Sequence, residues 1–148
     1  MAMIKEVKFI VSRPAAAEIC KWIGCKLDPD PHAAEADGYR ISSLYFDTNE
    51  FDTFFGRASY ARAKYRIRRY NDSSVVFLER KLKRAGRVVK RRSEFALGDL
   101  PETYTNGISE GRWFWRRLER RRLQPVCQIT YKRKARGHAH CWPAASDY

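Results

Sequence analysis

The sequence predicts an α+β fold: a mostly antiparallel β-sheet with about two helices packed on its outside or end. Three observations carry this. Six segments are rich in β-formers or alternate apolar and polar residues, and three of them are joined by turn-length connections. Two further segments place apolar residues at helical spacing. The chain has 148 residues, 44% hydrophobic and 14% aromatic, which suits one domain with a core and excludes wholesale disorder.

Residues 4–11 alternate strictly, with Val7, Phe9 and Val11 on one side and Ile4, Glu6, Lys8 and Ile10 on the other, and so predict the first strand. Ser12 then offers an N-cap and Pro14 suits a first helical turn. Ala15, Ile19, Trp22 and Ile23 continue at helical spacing to a stop at Gly24. Residues 27–37, with two prolines and several acids, read as a solvated loop. A second strand covers residues 39–47, followed by a turn and a short helical or irregular piece packed by Phe51, Phe54 and Phe55. Strands over 60–70, 75–84 and 87–97 form a meander, the first connection signalled by Asn71-Asp72-Ser73 and the second by Ala85-Gly86. Residues 98–107 read as a polar loop. Residues 109–123 predict a helix with Trp113, Phe114 and Leu118 inward and six arginines outward, closed by Pro125. A sixth strand covers 126–135, and residues 137–148 have no readable period.

Charge narrows the function. Thirty Lys and Arg against 17 Asp and Glu give a net +13. A folded domain with that excess repels itself, which points to a polyanionic partner: nucleic acid, an acidic membrane surface or a phosphate-rich molecule. No apolar run is long enough for a transmembrane helix, and the first residues do not read as a signal peptide, so a cytoplasmic protein is expected. Cys20, Cys25, Cys127 and Cys141 form no CxxC pair and read as reduced thiols, the first two as core residues. His138, His140 and Cys141 lack a second ligand pair at zinc spacing. P-loop and dinucleotide-binding glycine motifs are absent.

The informative pattern is parity. Arg62, Lys64, Arg66 and Arg68 alternate along the third strand and so project from one face, about 6.6 Å apart. Ala61, Ala63, Tyr65 and Ile67 take the core face. In the next strand Val76, Leu78 and Leu82 suit the core, leaving Phe77, Glu79, Lys81 and Lys83 with the cations. In the fifth, Val89, Phe95 and Leu97 suit the core, opposite Val88, Lys90, Arg92 and Glu94. Glu6 and Lys8 add to the same face from the first strand. Such a face can be the wet side of a two-layer sheet with cross-strand ion pairs. It can equally be a wall that grips phosphates through guanidinium forks and ammonium groups, its few carboxylates holding a bridging divalent metal. A separate basic-aromatic run, Trp113-Phe114-Trp115-Arg116-Arg117 with Arg120-Arg121-Arg122, would suit a nucleic-acid-binding module. Its helical spacing instead favours burial of the aromatics with solvated arginines.

The ordered segments Ser43-Leu-Tyr-Phe-Asp47-Thr48, Lys64-Tyr-Arg66-Ile-Arg68-Arg-Tyr70, Leu78-Glu79-Arg-Lys81 and Val88-Val-Lys90-Arg-Arg92 resemble the VTC domain. That is the polyphosphate polymerase of the vacuolar transporter chaperone type, a branch of the CYTH-like triphosphate tunnel metalloenzymes. The resemblance runs over residues 1–135 as one domain and leaves 136–148 as an unmatched tail. It implies a tunnel of antiparallel strands lined by basic side chains. It implies a phosphotransferase that uses a nucleoside triphosphate and a divalent metal (Mn²⁺ or Mg²⁺) to extend polyphosphate. A triphosphatase on the same walls, or a truncated polyphosphate-binding remnant, are the alternatives. Carried over by motif, Lys8 matches the basic residue of the opening strand, Arg66 and Arg68 the paired arginines, and Lys81 and Lys90 the lysines of the next strands. Tyr131 and Arg133 match a Tyr-x-Arg in a later strand. With Lys64 and Arg92 from parity, these are the expected phosphate-binding residues, and Arg66, Arg68 and Lys81 are expected to act in the transfer. Glu6, Glu79 and Glu94 are the expected metal ligands. Six strands fall short of the tunnel's eight or so, so the chain looks truncated, and a homodimer or second chain completing the sheet is an expected partner alongside nucleotide, polyphosphate and pyrophosphate.

Overall fold

The computed structural model describes residues 7–30, 38–84, 87–100 and 111–138. The chain divides into two compact units, one of residues 1–37 and 134–147 and the other of residues 38–133.

In the first unit, helix α1 (Arg13–Gly24) begins where Ser12 and Pro14 place it, and the Ser12 hydroxyl accepts from the Ala15 amide at 3.4 Å. A two-residue strand β1 (Asp28–Pro29) pairs antiparallel with β7 (Arg136–Gly137), so the predicted loop and tail each hold a short strand. The predicted first strand, residues 4–11, is corrected over its described part, and residues 4–6 lie outside the described residues. Residues 7–12 have no strand structure, and Val7, Phe9 and Ile10 are largely exposed. Alternation marks the faces a strand would have, but a strand exists only where a second one satisfies its backbone. Cys20, within α1, and Cys25, just after it, are exposed rather than buried.

The second unit is built on a five-stranded antiparallel sheet. Its strands are β2 (Tyr39–Asp47), β3 (Ala63–Tyr70), β4 (Val75–Arg84), β5 (Arg87–Ala96) and β6 (Gln124–Arg133). Their order is β5-β4-β3-β2-β6, and the two outer strands do not pair with each other, so the sheet is open among the described residues. The β3–β4 turn uses Asn71 in the left-handed region (φ 49°), which asparagine tolerates, and its side chain accepts from the Arg40 amide at 2.8 Å. β3 starts later than predicted because residues 58–62 form a 3₁₀ turn. Pro125 lies inside β6, an edge strand, where a missing amide is tolerated. Residues 52–56 are turns, and Phe51, Phe54 and Phe55 are exposed rather than packed.

Helix α2 (Arg112–Arg120) covers one face of this sheet with Phe114 and Leu118. Phe114 is fully buried and meets the rings of Phe46 and Tyr65 edge-on. Val76, Leu78 and Phe95 complete the core, matching the predicted core parity of β4 and Phe95. Val89 keeps its parity but is exposed, and Leu97 lies beyond the strand. The helix therefore fixes which face is buried and leaves the other free to carry charge.

Candidate functional site

Residues directly opposite in adjacent strands project from the same side, so the register lists what the other face carries. Nearest one end, Lys64, Lys81 and Lys90 face one another across three strands. The next row is Tyr45, Arg66, Glu79 and Arg92. The row after that is Ser43, Arg68, Phe77 and Glu94. β6 adds Cys127, Ile129, Tyr131 and Arg133 opposite Tyr45, Ser43, Ile41 and Tyr39. The face thus grades from exposed lysines, through an arginine cluster, to an aromatic end where Tyr70 meets both Tyr39 and Phe77.

The centre is one carboxylate among three guanidinium groups. Glu79 Oε2 lies 2.5 Å from Arg66 Nε and 3.8 Å from Arg68 Nε, and Oε1 lies 3.5 Å from Arg92 Nε. All four side chains are under a third exposed, so the pairs are poorly screened. Arg66 donates to the Tyr45 hydroxyl at 3.1 Å, and Arg68 donates to Ser43 Oγ at 3.1 Å. Arg92 lies over the Phe77 ring with its guanidinium carbon 3.5 Å from the centroid. Burial works against the Arg66 charge, but attraction to Glu79 and the hydrogen bonds with Tyr45 and Glu79 outweigh it and hold its pKa above the ordinary value. Three fixed cations against one anion leave about two positive charges in a half-buried patch, beside three lysines with no carboxylate in their row. Like charges set directly opposite on a sheet are destabilising. A bound polyanion would relieve that repulsion.

The structure brings Lys64, Arg66, Arg68, Lys81, Lys90 and Arg92 onto one face. Tyr131 and Arg133 share it, but Arg133 stands at the aromatic end, beside the Tyr39 ring. Lys8 lies in residues 7–12, which form no strand, and belongs to the other unit. Glu6 is outside the described residues. Glu79 is engaged by arginines, and Glu94 is exposed one row further along. No group of three or more His, Cys, Asp or Glu side chains gathers at a metal-binding distance among the described residues. Among the described residues, Glu79, the best-placed carboxylate, is already ringed by cations.

Sequence reasoning missed Ser43 and Tyr45, which anchor the two arginines. Their signal was available in the alternate positions of the β2 motif, but reading it needs the knowledge that β2 lies beside β3. The same motif ends in Asp47-Thr48, and the structure gives this pair a structural task. Asp47 is 4% exposed, and its carboxylate accepts from the amides of Thr48, Thr53 and Phe54 at 2.8, 2.8 and 2.9 Å. Burial pushes its pKa up, but these amide hydrogen bonds prevail and hold it below the usual aspartate range. A depressed carboxylate pKa contributes stability above its unfolded value, which is lost as pH falls through the folded one. Asp47→Ala is therefore expected to cost about 2 kcal/mol in urea unfolding at pH 7. The gap from the native chain should narrow below about pH 4, and a gap constant with pH would contradict this role.

The family model of the VTC domain matches residues 3–139. The chain belongs to the VTC domain family. A solved structure from Bacillus halodurans, described as a "putative adenylate cyclase", shares the fold with a TM-score of 0.55 at 14% sequence identity. The match covers 83% of this chain and 60% of that one. The curated proteins contain no match. The fold is thus α+β with a mostly antiparallel sheet, shared with that solved structure, and the sheet is open among the described residues. No helix among the described residues is long and apolar enough to cross a membrane.

Proposed function

We propose that the basic face of the five-stranded sheet binds the phosphates of a nucleoside triphosphate and of polyphosphate, and that the chain is a phosphotransferase of the polyphosphate polymerase kind. The observation that carries this is the in-register placement of Lys64, Lys81 and Lys90 beside Arg66, Arg68 and Arg92 on one sheet face. Family membership and the tunnel-type fold support the same substrate class. In the transfer, a terminal oxygen of the acceptor phosphate attacks the γ-phosphorus. The bond to the β,γ-bridging oxygen breaks, and the nucleoside diphosphate leaves with that oxygen. Such a reaction needs alignment and charge neutralisation more than covalent help from the protein. Arg66 and Arg68, held by Tyr45 and Ser43, present guanidinium groups at fixed positions, and Lys81 adds a mobile point charge. A divalent ion, Mn²⁺ or Mg²⁺, would have to arrive on the phosphates, since Glu79 is occupied by arginines.

Incubation of the chain with ATP and Mn²⁺, scored for long polyphosphate and for free phosphate, tests the reading. Long polyphosphate is the expected product. Free phosphate alone would assign a triphosphatase on the same residues. Tripolyphosphate should displace bound nucleotide, and failure to do so while an oligonucleotide succeeds would favour a nucleic-acid module instead. Completion of the open sheet by a second copy, and a cytoplasmic location, belong to the same proposal.

A further inference from the structure

The opposite face of the sheet carries a feature that the substrate site does not use. Arg80 lies in β4 between Leu78 and Leu82 on the apolar parity, and faces Arg91 directly across β5. A charge in that register must find a partner or stay in contact with water. The Arg80 Nε is buried without a hydrogen bond, and none of Arg80, Arg91, Arg116, Arg117 and Arg120 makes an ion pair among the described residues. Arg116, Arg117 and Arg120 of α2 converge with the two sheet arginines and Trp113 around a cleft of about 220 Å³.

We propose that this cleft is a second anion site, taking a compact oligophosphate on the side of the sheet away from the lysine row. Five guanidinium groups from three elements surround a concavity instead of forming a stripe, which suits clustered phosphates held by several forks at once. Trp113 does not offer an open stacking platform. Arg91 sits over its ring at 4.4 Å, and its indole N–H donates to Ser93 Oγ at 3.0 Å. The aromatic ring therefore braces a guanidinium, and recognition falls to the phosphates instead of a nucleobase. The site does not depend on the function proposed for the lysine face.

The test follows the Arg80 Nε–H signal by ¹⁵N NMR in the full chain, assigned by its loss in Arg80→Lys, while tripolyphosphate is added. A saturable shift is expected. Arg91→Ala with Arg117→Ala, both exposed positions, should raise its midpoint by at least about tenfold. Arg66→Ala on the other face should leave that midpoint unchanged, so failure of one site is separable from failure of the other. ATP as a second titrant separates the sources: a tighter midpoint for ATP assigns the site to a nucleotide, and a tighter one for tripolyphosphate to an inorganic chain. An unmoved Arg80 signal, or a midpoint untouched by the double variant, would overturn the proposal. So would a single-stranded oligonucleotide that binds there more tightly than either small anion.

Discussion

Arg66→Ala is expected to lower phosphoryl transfer by about 10²–10³-fold, and to weaken tripolyphosphate binding, while leaving the fold intact. Arg66 is held on two sides: it meets Glu79 at 2.5 Å and the Tyr45 hydroxyl at 3.1 Å. A side chain held on two sides costs little to order when the ligand arrives, so its electrostatic stabilisation is already in place. Arg66→Lys separates charge from geometry. The ammonium keeps the charge but cannot span Glu79, Tyr45 and a phosphate with a planar fork. An intermediate loss is expected, and activity equal to the native chain in both variants would remove Arg66 from the site. Lys81→Ala should fail more in binding than in the transfer step, because its exposed ammonium acts as a mobile point charge.

The second large effect concerns Glu79. Glu79→Ala leaves Arg66, Arg68 and Arg92 as neighbouring cations without their shared carboxylate, in a patch where all three are under a third exposed. Removing one partner of a largely buried charge network typically costs about 3 kcal/mol or more. The expected result is a fall of that size in stability without ligand. Tripolyphosphate should then raise the melting temperature of Glu79→Ala by more than it raises that of the native chain, since the anion takes the carboxylate's place. If Glu79 acted mainly as a metal ligand, Mn²⁺ would instead stabilise the native chain and lose that effect in the variant. Equal stabilisation of both proteins by tripolyphosphate would count against the charge-relief account.

Much of the sheet was legible because local signals and global pairing agree there. β2 and β4 begin and end where alternation and turn residues place them, and the core parity of Val76 and Leu78 is confirmed by their burial. Residues 7–12 show the opposite case. Their alternation is as regular as that of any strand, yet pairing is non-local and no spacing within the segment encodes it. Lys8 lies in that segment, so strand register does not assign its side. The arginines of β3 were legible by period two alone, whereas Ser43 and Tyr45 became visible only once β2 was known to lie beside β3. Arg80 had a readable signal, a charged residue in an apolar register, but its meaning depends on α2 packing over that face and bringing three more arginines.

The direct measurement is a crystal structure of the chain grown with tripolyphosphate. Phosphate oxygens within hydrogen-bond reach of Arg66, Arg68 and Lys81, along the row shared with Lys64 and Lys90, are the expected result. A bare lysine face at saturating tripolyphosphate, with those side chains directed only into solvent, would contradict it.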